Sequence, residues 1–409
     1  MKPRSRLVLH VPVPPSRPGD KPDFSGLKVP EAGSVRRPKC DVAEGEIRDL
    51  PYALIRVLDD EAHAQGPWNP KLSADVLRRG LKAMLLTRAF DERLFQVQRQ
   101  GKTSFYMKST GEEAISVASS MALGARDMCF PTYRFLGWLM ARAHPLAPLI
   151  NQIFSNAEDP LKGRQLPILF SARDYGFYSL SGNVGSRFGH AVGWAMASAY
   201  KGDDRIAMGV IGEGTTAEGD FHEALTFASV YRAPVVLAVT NNQWAISSFS
   251  GIAGAEATTF AAKALAYGVP GLRVDGNDFL AVWAAIRWAA ERARLNCGAT
   301  LIEFFTYRAE GHSTSDDPTK YRPKEEACAW PLGDPVERLK KHLVNLGEWD
   351  DARHDALIAE LKEEVRAAVK EGERTGVLGA SKPSVKEMFE EVFEEPDWRL
   401  IEQRREFGV

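Results

Sequence analysis

Two residues near the middle of the chain have the character of a cation and phosphate site. Glu213 lies in the turn Gly212-Glu213-Gly214, and Asn242 follows thirty positions after Gly212, in the pair Asn241-Asn242. A carboxylate and a side-chain amide oxygen are hard donors of the kind that hold Mg²⁺. A helix starting beside them adds free backbone N–H groups, which favour phosphate oxygens. That helix start contributes only about 0.3–1 kcal/mol toward an exposed anion, so the metal has to supply most of the grip on a diphosphate. Elsewhere, Tyr133-Arg134 offers a hydroxyl and a planar cation to phosphate oxygens. The glycine-rich loop Ser179–Gly185 either lets a ligand ring approach its backbone or is a plain helix start. His312, between Gly311 and Ser313, carries an imidazole suited to proton transfer near neutral pH. Taken singly, Tyr133-Arg134 reads as a surface pair and His312 as a solvated bystander. Their placement relative to the strands changes that.

Ile206–Ile211 is a short apolar run before the glycine turn, and Val235–Val239 is a second, as expected of buried parallel strands. Between them Phe221, Leu225 and Ala228 repeat at helical spacing, directly after the turn, and Pro234 stops the helix near Tyr231. Thr300–Tyr307 is a further strand, and the loop Arg308–Pro323 that leaves it carries His312. In an open parallel sheet the strands end at one edge, and ligands bind there. Helices are expected over Ser73–Gln100, Ala114–Ala122, Phe188–Lys201, Ala261–Tyr267 and Asn277–Asn296. The alternation predicts an α/β fold, a doubly wound and mostly parallel sheet with helices on both faces. The expected division is a proline-rich extended arm over 1–70, the α/β domain over 71–330 and a helical C-terminal region over 331–409. That last region holds amphipathic helices at 334–346, 351–372 and 384–395.

Composition excludes several classes. With 409 residues, 44% hydrophobic content and a net charge of -2, nothing electrostatic points to nucleic acid. No apolar run approaches the ~20 residues of a membrane helix, so no membrane is expected. Cys40, Cys129, Cys297 and Cys328 form no CxxC pair, which favours reduced thiols and a cytoplasmic location. The first residues contain no apolar signal-peptide core.

The glycine turn followed by Asn-Asn resembles the thiamin-diphosphate fingerprint, in which GDG is followed after about thirty residues by NN; Glu213 stands for its Asp. The likeness runs from about Arg88 to Tyr321 and is to the alpha subunits of 2-oxo acid dehydrogenases, especially the branched-chain (2-oxoisovalerate) group. SFYMKSTGEEA (Ser104–Ala114), LKGRQLP (Leu161–Pro167), NNQWAIS (Asn241–Ser247) and GHSTSDDPTKYR (Gly311–Arg322) carry it. The resemblance implies thiamin diphosphate and Mg²⁺ as cofactors. It assigns Glu213, Asn242 and the backbone carbonyl of Trp244 to the metal. Tyr133 and Arg134, with backbone at Gly214 and Thr215, go to the diphosphate; backbone at Gly182 and Val184 goes to the aminopyrimidine. His312 becomes the active-site histidine at the cofactor. Thr240 stands where relatives can carry a phosphate-binding Arg, so Arg134 or another cation has to replace it. The loop Ser181–Arg187 differs from relatives that bind a monovalent cation there.

The same resemblance implies a function. The chain is expected to act with a beta subunit, as an α₂β₂ heterotetramer whose beta chain supplies the glutamate that contacts the aminopyrimidine. The expected reaction is oxidative decarboxylation of branched-chain 2-oxo acids with reductive acylation of the lipoyl group on a dihydrolipoamide acyltransferase. Two other readings stay open at this point: a pyruvate or acetoin dehydrogenase alpha subunit, and a noncatalytic phosphate-binding scaffold.

Overall fold

The computed structural model describes residues 8–380, 382–390 and 393–409. Among them, in chain order, the strands are β1 (Leu54–Ile55), β2 (Met128–Phe130), β3 (Ala207–Gly212), β4 (Val235–Asn241), the small pair β5 (Trp244–Ala245) and β6 (Ser248–Phe249), β7 (Gly271–Asp275) and β8 (Thr300–Phe305). The α-helices are α1 (Ala74–Arg99), α2 (Glu113–Ala122), α3 (Leu136–Ala141), α4 (Leu146–Phe154), α5 (Ser186–Tyr200), α6 (Gly219–Val230), α7 (Phe279–Arg294), α8 (Pro335–Asn345), α9 (Asp351–Thr375) and α10 (Trp398–Glu406). The main sheet has the order β1-β7-β8-β4-β3-β2, and every pairing in it is parallel. This is the α/β architecture expected from the alternation of apolar runs.

β4 shows why such a strand is apolar throughout. Successive side chains point to opposite faces. Val236 and Ala238 enter a core shared with α1, α2 and α7, whereas Val235, Leu237 and Val239 enter a second core shared with α5 and α6. Both faces are covered, so the run Val235–Val239 is apolar at every position.

The register sets which loops meet. Gly212 of β3 pairs with Thr240 of β4, and Asn241 of β4 with Phe305 of β8. The chain leaving these three strands therefore emerges side by side. On the far side of β3, Cys129 of β2 receives a hydrogen bond from Tyr178 N and gives one to Gly176 O, both at 2.8 Å. This brings the loop that begins at Ser179 to the same edge.

The stretch read as an arm is mostly irregular, supplies the edge strand β1 and lies against the body of the chain. Trp288 Nε1 donates to Pro38 O at 3.0 Å, and Arg292 Nη1 donates to the carbonyls of Cys40 and Val42 at 2.8 and 2.7 Å. Asp278 caps α7 with one carboxylate oxygen and accepts from Val57 N and Leu58 N with the other. At the other end, α8 and α9 form as expected, and Leu361, Val365 and Val369 of α9 are fully buried. The helix expected over 384–395 does not form in the described part of that stretch. Only Val385–Met388 makes a 3-10 turn, while positions 391 and 392 lie outside the described residues. Val385, Met388 and Phe393 are exposed and only Phe389 is buried among the described apolar residues of the stretch, too little for a helical stripe; α10 starts later, at the Asp397 cap. Ala261–Tyr267 is likewise a 3-10 helix. No helix among the described residues is long and apolar enough to cross a membrane.

Candidate active site

Glu213 does not stand at the first turn of the long helix, as its sequence neighbourhood suggests. A 3-10 turn, Glu213–Ala217, separates β3 from α6. The turn is drawn tight by Thr216 Oγ1, which donates to Glu213 O at 2.8 Å and accepts from Lys263 Nζ at 2.7 Å. The side chain of Glu213 is 1% exposed, and its Oε1 is buried without a hydrogen-bond partner. Burial pushes its pKa up to about 7, with the Glu112 carboxylate adding to the rise. A buried carboxylate oxygen without a partner is costly unless something pairs with it.

All ten residues assigned from the sequence line one cavity of about 420 Å³ at the strand ends. The turn after β3 contributes Glu213, Gly214 and Thr215; the corner after β4 contributes Asn242 and Trp244. Tyr133 and Arg134 come from the loop after β2, Gly182 and Val184 from the loop before α5, and His312 from the loop after β8. A Cβ on Gly182 or Gly212 would meet no protein atom within 4 Å, so both backbones face open space in the cavity wall. Among the described residues no three His, Cys, Asp or Glu side chains converge as metal ligands. A cation here would need oxygens from the backbone and from a bound ligand, as Mg²⁺ with a diphosphate does.

Four charged residues in the wall have no role assigned from the sequence: Glu112, Arg187, Glu218 and Arg308. Glu112 is 2% exposed and accepts from Asn242 Nδ2 at 2.7 Å, with Arg134 Nε 3.6 Å from the same oxygen. Arg308 is 1% exposed and donates to Trp244 O and Ile246 O, both at 2.8 Å, and to Tyr321 Oη at 2.6 Å. Arg187 donates to Ser181 O at 2.9 Å and Val184 O at 3.1 Å, so a cation of the chain's own closes the glycine-rich loop. Thr240 leaves a buried hydroxyl without a partner in the wall, and Arg134, Arg187 and Arg308 supply positive charge around it. The sequence held one usable signal for Arg308: it is the first residue after the apolar run Thr300–Tyr307 expected as a strand. The pairing of Glu112 with Asn242, 130 positions away, had none.

Arg134 ties the phosphate corner to His312. Its guanidinium donates to Lys108 O and, at 2.7 Å, to His312 O, and Nη2 lies 3.4 Å from His312 Nδ1. A guanidinium can only donate, which assigns the imidazole proton to Nε2. The ring stands edge-on to Tyr133, with centroids 5.7 Å apart. Burial, followed by the neighbouring Arg134 and Arg308, depresses the His312 pKa to about 3. The imidazole is therefore neutral at pH 7. The loop is pinned by Asp316, whose carboxylate accepts from His312 N and from Tyr321 Oη, both at 2.6 Å.

Comparison with known proteins identifies the family. Residues 81–381 match the family described as dehydrogenase E1 component, and residues 5–44 match the N-terminal region of 2-oxoisovalerate dehydrogenase E1 alpha subunits. A 2-oxoisovalerate dehydrogenase subunit alpha from Pseudomonas aeruginosa is 57% identical over 404 residues, covering 98% of both chains. Mitochondrial counterparts from Dictyostelium discoideum and Mus musculus are 36% and 33% identical, over 88% and 94% of this chain and 82% and 85% of their own. With identity of this extent over nearly the full length, the chain belongs to the dehydrogenase E1 component family, among the alpha subunits of the branched-chain 2-oxo acid dehydrogenases, which are oxidoreductases.

Proposed function

We propose that the cavity holds thiamin diphosphate and Mg²⁺, and that the chain uses them in oxidative decarboxylation of 2-oxoisovalerate and related branched-chain 2-oxo acids. The observation that carries this is the buried Oε1 of Glu213, left without a partner in a wall that also holds Asn242 and three guanidinium groups. Glu213, Asn242 and the carbonyl of Trp244 would hold the metal. Tyr133 and Arg134, with backbone at Gly214 and Thr215, would hold the diphosphate, and backbone at Gly182 and Val184 the aminopyrimidine. When bound, the cofactor would supply the nucleophilic carbon and the electron sink that decarboxylation of a 2-oxo acid requires.

The chain's own residues then have distinct tasks. His312, neutral and carrying its proton on Nε2, donates that proton or a hydrogen bond to developing negative charge, and during acyl transfer it faces the incoming lipoyl group of the acyltransferase. Arg134 and Asp316 fix its loop. The glutamate that contacts the aminopyrimidine comes from a beta subunit, in an α₂β₂ assembly. Tyr200, Phe227, Val230 and Tyr231 leave large apolar surfaces exposed along α5 and α6, which supports a protein partner on that side. The free cysteines fit a cytoplasmic enzyme.

Calorimetry of the alpha chain with its beta partner tests the cofactor reading. Thiamin diphosphate should bind only with Mg²⁺ present, and Glu213→Ala should abolish that dependence together with retention. Binding that ignores Mg²⁺ would overturn it. Turnover of 2-oxoisovalerate against pyruvate by the same mixture tests the substrate, and a preference for pyruvate would overturn that part.

A further inference from the structure

Glu112 is a fully buried carboxylate to which the proposed chemistry gives no task. It stands at the start of α2 beside Glu113, but the two side chains part. Glu113 turns to Arg88 and to Gly111 N, whereas Glu112 points into the cavity wall. There its Oε1 accepts from Asn242 Nδ2 at 2.7 Å and lies 3.6 Å from Arg134 Nε.

An Asn side chain has the same shape whichever way its amide is turned; only its partners decide which end is oxygen. Glu112 Oε1, with the Arg134 guanidinium 3.6 Å away, accepts from Asn242 and so claims the NH₂ end. The opposite end, Oδ1, is left 3.3 Å from Trp244 N, beside the backbone corner of the proposed metal site. Trp244 N donates to Oδ1 across that gap, and without Glu112 this long bond alone opposes turning the NH₂ group toward the cation. Through Arg134 the same carboxylate also touches the group that holds the His312 loop.

We infer that Glu112 is a positioning residue: it locks the Asn242 amide with its oxygen toward the metal corner, and it joins that corner to the Arg134–His312 side of the site. The inference rests on the proposed Mg²⁺ site. Partners one step behind a metal ligand typically change metal affinity by about 10–100-fold when removed.

The test uses the full-length chain with its beta partner and thiamin diphosphate, titrated with Mn²⁺ and followed by the EPR signal of free Mn²⁺. Glu112→Gln keeps an oxygen that can accept from Asn242 and should hold Mn²⁺ within about threefold of the parent. Glu112→Leu removes the lock and should weaken Mn²⁺ by at least about tenfold. The deciding variant is Glu112→Leu with Asn242→Asp. A carboxylate presents oxygen whichever way it turns, so affinity should return to within about threefold of the parent. A merely structural role for Glu112 gives no such recovery, and a double variant no tighter than Glu112→Leu overturns the inference. If Glu112→Leu does not fold, as read by far-UV circular dichroism, Asn242→Asp is compared alone and with Glu112→Gln. Alone it sets two carboxylates against each other and weakens Mn²⁺; with Gln donating to Asp it recovers, and no recovery overturns the inference. A parent enzyme that takes up no Mn²⁺ overturns the metal reading itself, whereas Mn²⁺ uptake by the parent without either recovery overturns only the role of Glu112.

Discussion

Replacing Glu213 by Gln should make the cofactor-free enzyme more stable while removing its hold on the metal. The carboxylate is buried with Oε1 unpartnered, and its pKa rises from an ordinary 4.5 to about 7. A raised value means that the folded chain keeps a proton the unfolded chain has released. The stability tied to this group is therefore complete below about 4.5 and is lost as pH climbs through about 7. At about 1.4 kcal/mol per unit of pH, the gap corresponds to about 3 kcal/mol of destabilisation at pH 8. Glutamine never ionises, so the variant should melt higher than the parent at pH 8, by about 3 °C for a chain of this size. The difference should shrink as pH falls toward about 4.5. Thermal unfolding of both proteins over that range, with and without thiamin diphosphate and Mg²⁺, reads both halves of the prediction. The additives should raise the parent's midpoint and leave the variant's almost unmoved. A difference independent of pH would refute the buried, ionisable role of Glu213; equal stabilisation of both proteins by the additives would refute its role at the metal.

The remaining predictions concern the walls of the same cavity. Gly214→Ala would place a Cβ 2.6 Å from the Cβ of Ala245, so the β5 corner must shift; about 1–3 kcal/mol of stability and part of the cofactor affinity should be lost, as measured by melting and calorimetry. Arg308→Met removes the donors to Trp244 O, Ile246 O and Tyr321 Oη and should cost about 3–5 kcal/mol. Limited proteolysis should then find new cuts within 309–322, and an unchanged digest would contradict the pinning role. The His312 imidazole should stay neutral down to about pH 5 in the cofactor-free enzyme, visible in its ring-carbon NMR shifts. Because its folded pKa lies below the ordinary 6.5, the unfolded chain takes the proton first, and stability is lost as pH falls from about 6.5 toward 3. A titration midpoint near 6.5 would show that Arg134 and Arg308 do not act on the ring as described.

The sequence by itself determined the local chemistry and the order of the elements. Fully apolar runs at β3 and β4 can only be strands covered on both faces, and Gly212-Glu213-Gly214 with Asn241-Asn242 places a carboxylate and an amide after two such strands. It also determined the family, because the segments Ser104–Ala114, Leu161–Pro167, Asn241–Ser247 and Gly311–Arg322 are distinctive as strings. It overreached where local pattern lacks a tertiary partner. The helix expected over 384–395 has the right spacing but buries only Phe389 among its described apolar residues, and the 3-10 turn before α6 is invisible locally because nothing nearby reveals that Lys263 reaches Thr216.

Only the tertiary structure decided the electrostatics of the site. Glu112 meets Asn242 across 130 positions, Arg308 reaches the carbonyl of Trp244 across 64, and Arg134 reaches His312 across 178. Such pairings follow from the parallel register, which sets loops from distant parts of the chain side by side at one edge. Burial at that edge then shifts the protonation equilibria, raising the Glu213 pKa to about 7 and leaving His312 neutral at pH 7. A residue's type is written in the sequence; its desolvation and its partners exist only once the sheet has formed.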